Sequence, residues 1–440
     1  MENRKGLNGF RWIPTLYFAE GIPYFIVNSI SVIMFTNMGM SKGDMAMYTS
    51  LLYLPWVIKP LWSPFVDILK TKRWWIVAMQ VLISIAFAAA AFSLPHPSPE
   101  TAGSGNTPVS LFTMTLVLFW ITAFASATHD IAADGFYMLA LDTKDQSFFV
   151  GIRSTFYRLS SIFGQGILVV VAGLLETRLG DVPQAWFWTL LACSLIFSAI
   201  TIYHVFMLPR PAADAPRGRD DVNGVQASSG RSVWSVFREF GHTFRTFFMK
   251  PQVGIALLFM LLYRLPEAFL VKMMNPFLLD SVEKGGLGLS TEMVGLVYGT
   301  VGVAALTVGG IIGGIAASVW GLKKSLWPMA LSLTLPCLAF VFLSAFQPSD
   351  IWIIACCVLL DQFGYGFGFT AYMLYLIYYS DGEYRTSHYS LCTAFMAMSM
   401  MLPGMVAGYL QESLGYYHFF WMVIACCLVT VAVTFMVKVD

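Results

Sequence analysis

The chain has 440 residues, of which 57% are hydrophobic and only 12% are charged. A soluble domain usually carries about 25% charged residues, so this composition excludes an ordinary soluble protein and indicates a membrane protein. The formal net charge of +1 gives no indication of a nucleic-acid partner.

The amino-terminal segment MENRKGLNGFRW is basic, and a long apolar stretch with Pro14, Glu20 and Pro23 follows it. Because no small-residue cleavage site ends this stretch, we expect a retained membrane span rather than a signal peptide.

Apolar runs bounded by charged residues, glycine and proline predict twelve transmembrane helices, since a helix needs about 20 residues to cross the hydrocarbon core. The expected spans are residues 12–36, 44–68, 74–95, 109–140, 148–175, 184–208, 252–279, 290–318, 323–346, 349–379, 385–411 and 416–438. A polar segment rich in glycine and proline separates the sixth span from the seventh, which is typical of a linker. We therefore predict an N-terminal six-helix bundle (1–209), a cytoplasmic linker (210–250) and a C-terminal six-helix bundle (251–440).

Residues 231–250 of the linker place valine and phenylalanine at helical spacing among Arg238, Arg245 and Lys250. This pattern predicts an amphipathic helix that lies on the membrane surface.

The distribution of Lys and Arg predicts the orientation. Nineteen of them fall on one side of the predicted spans, Arg153 included, and three, Lys42, Arg178 and Lys284, fall on the other. By the positive-inside rule, both termini and the central linker are expected in the cytoplasm.

The two halves of the sequence resemble each other. YFAEGIPY in the first span and LYRLPEAF in the seventh each pair an acid with a proline, and the fourth and tenth spans carry the acids of HDIAAD and LLDQFGYGFG. A six-plus-six repeat joined by a cytoplasmic linker is typical of an all-α membrane protein with the major-facilitator fold. Such a transporter has its binding site between the halves near mid-membrane.

Nine charged side chains lie well inside the predicted spans, away from their ends. Each costs about 2.5–3.5 kcal/mol near the bilayer centre on insertion scales, so we expect them to face the interior and to pair or contact water. The bases are Lys59, Arg158, Arg264 and Lys272, and the acids are Glu20, Asp130, Asp134, Glu267 and Asp361.

The acids are candidates for proton coupling. Asp130 and Asp134 lie four residues apart and share one helix face, whereas His129 is rotated about 100° away. Two neighbouring carboxylates in a low dielectric favour proton uptake, so we interpret both as proton carriers, together with Glu20 and Glu267. The alternative for Asp134 is a contact that closes a cytoplasmic gate. For His129, a hydrogen-bonded packing role is favoured over a proton relay.

The bases are candidates for substrate binding. Lys59, Arg158 and Arg264 lie roughly 13–18 Å from the cytoplasmic ends of their predicted helices, at ~1.5 Å per residue. Three central cations favour an anionic substrate, because such groups bind carboxylates. The alternative is structural ion pairing, such as Arg264 with Glu267. Lys272 is expected near the periplasmic end, where its amine reaches the membrane surface.

Other substrate-binding candidates lie beside glycines or carry an aromatic ring. Asp361 and Gln362 are adjacent in the middle of the tenth span, and Tyr157 and Trp62 have rings able to stack on a sugar face.

Asp67 and Arg73, at the cytoplasmic end of the second span and the start of the third, are the gating candidates. The run VGGIIGGIAA (308–317) predicts close helix packing through Gly309/Gly313 and Gly310/Gly314.

The seven cysteines lie in apolar runs without ligand spacing, so we expect neither a metal nor a cofactor.

Five segments resemble the AmpG-type muropeptide permeases and the related acetyl-coenzyme A transporters. They are KPLWSPFVD (59–67), HDIAAD (129–134), YRLSS (157–161), LLYRLPEAF (261–269) and PGMVAGYLQESLG (403–415). The resemblance runs in order through nearly the whole chain. It implies an importer of the bacterial inner membrane that uses the proton gradient to carry peptidoglycan fragments built on N-acetylglucosamine and anhydro-N-acetylmuramic acid.

By position, the resemblance places Lys59 and Asp67 in the Lys…Leu-Trp-Ser-Pro…Asp segment of that family. It makes Arg264 and Glu267 the basic–acidic pair of the seventh helix. His129 stands where we expect glutamine and Glu267 where aspartate is usual. Another amino-sugar saccharide or a different organic anion would suit the same charges.

The sequence therefore predicts a proton-coupled importer of an anionic or amino-sugar saccharide. The alternative is an exporter, or a transporter of another organic anion or sugar. An intramembrane enzyme is disfavoured because the chain has no HExxH motif, no Ser/His/Asp cluster within a span and no cofactor fingerprint. The expected partners are a small-molecule substrate, the proton and the lipid bilayer, and the chain is expected to be a monomer.

Overall fold

A computed structural model describes residues 9–96, 107–211, 214, 233–382 and 385–437. These residues are almost entirely helical and contain no strand. We call residues 9–211 the N-terminal half and residues 233–437 the C-terminal half.

The N-terminal half consists of helices α1 to α10. Their bounds are α1 Ile13–Phe25, α2 Ser31–Asn37, α3 Lys42–Leu51, α4 Leu54–Ile58, α5 Ser63–Leu69, α6 Lys72–Phe92, α7 Thr113–Ala140, α8 Thr143–Ser161, α9 Val169–Leu179 and α10 Val182–Met207. The C-terminal half consists of helices α11 to α18. Their bounds are α11 Val233–Phe248, α12 Val253–Leu262, α13 Leu265–Leu279, α14 Thr291–Val294, α15 Val303–Thr334, α16 Leu338–Phe346, α17 Ile351–Ser380 and α18 Arg385–Met436.

Nine helical stretches of the described residues are long and apolar enough to cross a membrane. Two of them, 291–346 and 387–436, are about twice the usual length. Each is interrupted by a glycine with non-helical backbone angles, Gly321 at φ 75° and Gly415 at φ 70°, so two helices meet at each of these glycines. Residues 42–69 form α3, α4 and α5 in succession, interrupted just before Pro55 and again around Pro60, and do not count as one long helix. The all-helical membrane fold is confirmed, and the number of twelve spans stays a prediction.

Three π-helical turns interrupt the long helices. They are Ile26–Ile30, Ile162–Leu168 and Gly295–Gly302. The second and third cross each other, and a Cβ atom on Gly299 would collide with the carbonyl oxygen of Gln165. Glycine at this crossing therefore lets the two halves approach backbone to backbone.

Polar contacts join the two halves at one end of the molecule, which we call the closed end. Lys42 Nζ lies 2.6 Å from Asp280 Oδ2, and the Gly43 amide donates to Glu412 Oε1 at 3.0 Å. Tyr409 donates its hydroxyl to Asp44 Oδ1 at 3.2 Å. These contacts shut the space between the halves on this side.

A helix is present where the linker sequence predicts one, since α11 spans Val233–Phe248. Its Phe247 is fully buried, with ring centroids 5.7 Å from Tyr379 and 6.1 Å from Phe395. Lys250 donates to the carbonyl oxygens of Tyr379 and Asp381 at 2.5 and 2.8 Å, which caps the end of α17. The end of α11 therefore packs on α17 and α18.

Candidate functional site

A cavity of about 720 Å³ lies between the two halves. It takes residues from both halves and extends along α8 to Ser154, away from the closed end. Five predicted substrate-binding residues line it: Lys59, Tyr157, Arg158, Arg264 and Gln362. Its other polar or aromatic lining residues include Tyr24, Tyr53, Trp56, Gln165, Tyr298 and Tyr365.

Lys59 forms an ion pair in the wall of this cavity. The break between α4 and α5 places it in a 3-10 turn, Lys59–Leu61, and its Nζ lies 2.5 Å from Asp130 Oδ2 on α7. The two side chains are 21% and 20% exposed, so the pair remains in contact with the cavity. Glu20 of α1, only 6% exposed, lies beside Asp130 and also interacts electrostatically with Asp134.

Arg153 is a functional candidate that the sequence prediction missed. Its Nη2 lies 2.5 Å from Asp134 Oδ1, and its guanidinium carbon lies 4.4 Å from the Tyr17 ring centroid and 5.6 Å from that of Tyr137. Cation–π contacts of this kind hold the side chain in place. The prediction counted Arg153 with the loop residues, although its position inside the predicted span 148–175 was the available signal.

The structure thus brings Glu20, Lys59, Asp130, Asp134 and Arg153 into one charged group, which we call the N-terminal charge network. Three acids face two bases in it, and both bases are engaged. An odd carboxylate in such a group favours the binding of one proton.

Arg158 has no acidic partner among the described residues. Its Nη1 lies 3.5 Å from the carbonyl oxygen of Thr307 across the cavity, and the guanidinium also lies beside Gly310. Its charge is therefore available to a ligand.

Arg264 is buried, with 5% exposure, and its guanidinium carbon lies 4.7 Å from the Phe369 ring centroid and 5.8 Å from that of Tyr372. It also donates a hydrogen bond to the Tyr365 hydroxyl. In the described part of the chain Arg264 makes no ion pair with Glu267. The geometry therefore argues against the alternative that these two side chains form a structural ion pair. Aromatic rings hold this cation instead.

Asp361 differs from its predicted role as a direct ligand. It is 2% exposed and accepts a hydrogen bond from Gln362 Nε2 at 3.0 Å, and only Gln362 lines the cavity. The reason is helical geometry, since adjacent residues point about 100° apart. Glu267, 1% exposed, interacts electrostatically with Asp361 behind the cavity wall.

Trp62 also lies outside the cavity lining. Its Nε1 donates to Thr128 Oγ1 at 3.3 Å, and its ring centroid lies 5.5 Å from that of Phe124. The ring thus packs on α7, whereas Tyr157 faces the cavity as predicted.

Of the two gating candidates, the side chain of Asp67 lies outside the described residues. Arg73 donates to the carbonyl oxygens of Leu208 and Val205 at 3.2 and 2.5 Å. Both acceptors lie at the C-terminal end of α10, so Arg73 caps a helix of its own half. This geometry favours a structural role for Arg73 over gating.

His129 belongs to a buried hydrogen-bonded chain. Its Nε2 lies 3.0 Å from Gln80 Nε2, Gln80 Oε1 lies 3.0 Å from His204 Nδ1, and His204 Nε2 lies 2.9 Å from Thr15 Oγ1. The chain links α1, α6, α7 and α10, which supports the packing interpretation of His129.

Lys272 does not reach the membrane surface as predicted. It is 4% exposed and its Nζ donates to Thr49 Oγ1 at 3.1 Å, so the amine lies between the two halves. Across the described residues, no group of three His, Cys, Asp or Glu side chains is placed to hold a metal ion.

Comparison with known proteins gives the following similarities. A family model described as the Major Facilitator Superfamily matches residues 15–387. An uncharacterized protein of Haemophilus influenzae is 22% identical over 415 residues, covering 92% of this chain and 88% of that protein. The anhydromuropeptide permease of Escherichia coli K12 is 23% identical over 428 residues, covering 94% of this chain and 76% of the permease. The putative transporter AmpG 4 of Rickettsia felis is 24% identical over 421 residues, covering 93% of this chain and 91% of that protein.

Solved transporter structures share the fold at low identity. The nucleoside transporter NupG has a TM-score of 0.68 at 13% identity and covers 99% of this chain and 100% of its own. A D-xylose–proton symporter has a TM-score of 0.67 at 12% identity, and the match covers 98% of this chain and 97% of the symporter. A bacterial homologue of the human lysosomal transporter Spinster, in an inward-facing conformation, has a TM-score of 0.65 at 15% identity. The match covers 99% of this chain and 96% of that homologue.

Proposed function

The chain belongs to the Major Facilitator Superfamily and is a multi-pass membrane transporter, and we propose that it imports an anionic amino-sugar saccharide together with protons. The proposed substrate is a peptidoglycan fragment such as a muropeptide, and the proposed location is the bacterial inner membrane. The relatives named anhydromuropeptide permease and AmpG, which match over most of the chain, support this substrate class.

The observation that carries the proposal is the Lys59–Asp130 pair in the cavity wall, with 2.5 Å between Nζ and Oδ2. Protonation of Asp130 removes the negative charge that holds the Lys59 ammonium. The ammonium is then available to a substrate carboxylate that enters the cavity. Because the proton and the substrate each act on the same ion pair, their binding is thermodynamically linked.

The rest of the N-terminal charge network supports proton binding in the same region. Glu20 lies beside Asp130, and Asp134, which pairs with Arg153 of α8, lies one helical turn away on α7. Carboxyl groups this close exchange a proton readily, so Glu20, Asp130 and Asp134 are the proposed coupling acids, with Glu267 in the C-terminal half.

The cavity lining supports an acidic sugar. Arg158 carries a charge without an acidic partner in the described part of the chain, and Arg264 is held by rings rather than by a carboxylate. Tyr24, Tyr157 and Tyr365 offer aromatic faces to a sugar ring. A volume of about 720 Å³ suits a disaccharide, since ligand pockets usually measure about 300–1,000 Å³.

Transport by alternating access follows from the arrangement of two halves around one cavity. We propose that the two halves are six-helix bundles, 1–209 and 251–440, joined by the linker 210–250, in a monomer. With both termini in the cytoplasm by the positive-inside rule, the closed end faces the periplasm and the cavity opens to the cytoplasm.

The test is uptake by purified protein in liposomes. The probe is radiolabelled N-acetylglucosaminyl-anhydro-N-acetylmuramic acid, with a proton gradient imposed inward. We expect accumulation above equilibrium that a protonophore abolishes. Equal uptake with and without the protonophore would exclude proton coupling, and proton-driven expulsion of the probe would favour export. No transport of the acid, with transport of a neutral sugar, would exclude the proposed substrate class.

A further inference from the structure

Lys272 on α13 is a buried cation that the proposed function does not use. Its ammonium donates to Thr49 Oγ1 of the other half at 3.1 Å and lies 5.7 Å from the centroid of the Tyr53 ring. Among the described residues it has no acidic partner, and only 4% of the residue is exposed. A buried ammonium without a counter-charge is costly, which favours a position that an anion reaches during transport.

A small chamber lies around this ammonium and adjoins the main cavity. The two share Ser29, Tyr53, Val271, Tyr298 and Met400 as lining residues. The free space in the chamber is about 10 Å³, which is room for about one water molecule. In this conformation the chamber is therefore too small for a solute.

Two hydrogen-bond acceptors also lack partners in this chamber. They are Asn28 Oδ1 and Asn275 Oδ1, on residues that are 4% and 2% exposed. Buried polar atoms in proteins almost always have partners, so these two oxygens point to a donor that arrives with a ligand. The chamber thus offers one cation and two acceptors, which match a carboxylate that lies next to hydroxyl or amide N–H groups.

The chamber lies between the main cavity and the closed end. Asp280, which pairs with Lys42 at the closed end, lies eight residues beyond Lys272 on the same helix, a distance of about 12 Å along its axis. One wall, with Asn28 and Tyr53, belongs to the N-terminal half, and the other, with Lys272 and Asn275, belongs to the C-terminal half. Separation of the halves at the closed end widens the chamber.

We propose that Lys272, Asn28 and Asn275 form an outer subsite for the substrate when the closed end opens, in which Lys272 binds the carboxylate and the two asparagine oxygens accept hydrogen bonds from the neighbouring donors. The ligand is an acid with hydroxyl or amide N–H donors beside its carboxylate. The proposal rests on the proposed function for the identity of the transported acid. It adds a second binding position that the substrate occupies before it reaches Lys59.

The experiment compares transport from the two sides of the membrane. Right-side-out and inside-out membrane vesicles present opposite ends of the protein to the medium. The probes are radiolabelled N-acetylglucosaminyl-anhydro-N-acetylmuramic acid and its lactyl methyl ester, which lacks the negative charge. For Lys272→Met, we expect the half-saturating concentration of the acid to rise roughly tenfold or more from the side of the closed end, because one charged hydrogen bond is lost. From the cavity side, the half-saturating concentration of the acid is expected to stay unchanged. The half-saturating concentration of the ester is expected to change little from either side.

Lys272→Arg keeps the charge and is expected to retain most of the affinity for the acid. Lys272→Gln keeps a donor for Thr49 and serves as a second neutral variant if Lys272→Met does not fold, as judged by its melting temperature. A wild type that transports neither probe contradicts the proposed function and not this subsite alone. A wild type that transports the acid, with neutral variants that weaken acid and ester equally or from both sides equally, overturns the outer subsite.

Discussion

At the scale of single residues, the proposed mechanism lets two anions compete for Lys59. Asp130 holds the ammonium at 2.5 Å in this conformation, and a substrate carboxylate in the cavity would replace it. The ion pair is only about one-fifth exposed, so its Coulomb attraction is screened less than that of a surface pair. In the proposed mechanism, protonation of Asp130 therefore changes which anion Lys59 binds.

The first prediction concerns Asp130→Asn. Asparagine cannot bind or release the proton, so we expect proton-driven uptake to fall to the level seen without a gradient. Counterflow exchange is expected to persist, since Lys59 remains free to bind substrate. Asp381→Asn, which alters an exposed pair with Arg385 at 3.8 Å, is the matched control and should leave both activities unchanged. Loss of uptake and exchange together in Asp130→Asn would mean that the carboxylate holds substrate or structure.

The second prediction concerns Lys59→Ala. We expect the half-saturating concentration of an anionic substrate to rise roughly 10- to 100-fold, the effect of losing a charged hydrogen bond, with a much smaller change for a neutral analogue. The double variant Lys59→Ala with Asp130→Asn removes both charges and controls for the carboxylate that the single change leaves unpaired. Transport assays with both substrates measure the difference, and equal changes would remove Lys59 from the binding site.

Sequence reasoning located the buried charges better than their partners. Lys59, Arg158 and Arg264 line the cavity as predicted, because a charge in an apolar span has few other places to lie. Partner choice depends on how distant helices pack, and the Lys59–Asp130 pair joins residues 71 positions apart. Arg153 was missed because it was counted with the loop residues, and Lys272 was assigned to the membrane surface because hydropathy does not indicate which face of α13 is buried.

At the scale of helices, breaks in regular geometry bring the two halves together. The π-helical turns Ile162–Leu168 and Gly295–Gly302 cross where Gly166 and Gly299 leave no side chain between the backbones. Insertion of an extra residue per turn is frequent at functional sites in helices. A tight crossing of this kind fixes the relative position of α8–α9 and α14–α15 in the closed arrangement.

The third prediction tests this crossing with Gly299→Ala. The added methyl group meets the backbone of Gln165 and Gly166, so we expect a loss of about 1–3 kcal/mol of stability for the closed arrangement, typical of overpacking. The melting temperature of the purified protein should fall and transport should slow. Gly314→Ala, at a glycine with no atom within 4 Å of the added methyl group, is the matched control and should melt like the wild type. Equal melting temperatures for the two variants would contradict the tight crossing.

The sequence predicted the helices well and their interruptions poorly. Apolar periodicity located the long spans because every span must hide its backbone polar groups from lipid. In the run 308–317, Gly309 and Gly313 pack against α17 as predicted, whereas Gly310 faces Arg158 and Gly314 faces open space. The spacing of small residues repeats on both faces, and only the position of the neighbouring helix decides which face packs.

At the scale of the whole molecule, the structure corresponds to one of the two states that the proposed alternating access requires. The halves meet through Lys42–Asp280, Gly43–Glu412 and Asp44–Tyr409 at the closed end, and the cavity lies beyond them. In the Lys42–Asp280 pair, the Lys42 side chain is 18% exposed and the Asp280 side chain is 11% exposed. Opening must replace these contacts with water, so their strength sets part of the balance between the two states.

The fourth prediction tests this balance by exchanging the charges of the Lys42–Asp280 pair. Lys42→Asp places two acids together and Asp280→Lys places two bases together, so each single variant should open the closed end more often. Hydrogen–deuterium exchange of the backbone amides in α3 and in the facing part of α18 measures this opening, since an amide exchanges when its hydrogen bond opens to water. Lys284→Asp, an exposed change at the same end, is the control and should exchange like the wild type.

Combining Lys42→Asp with Asp280→Lys restores an attractive pair with reversed polarity and should return exchange towards the wild-type rate. The recovery is expected to be incomplete, because Asp280 Oδ2 also accepts a hydrogen bond from Tyr416 at 2.8 Å, which a lysine cannot accept. Exchange in the double variant that is as fast as in the single variants would show that other contacts hold this end shut. Since transport needs both states, the single variants should also slow uptake even though neither residue lines the cavity.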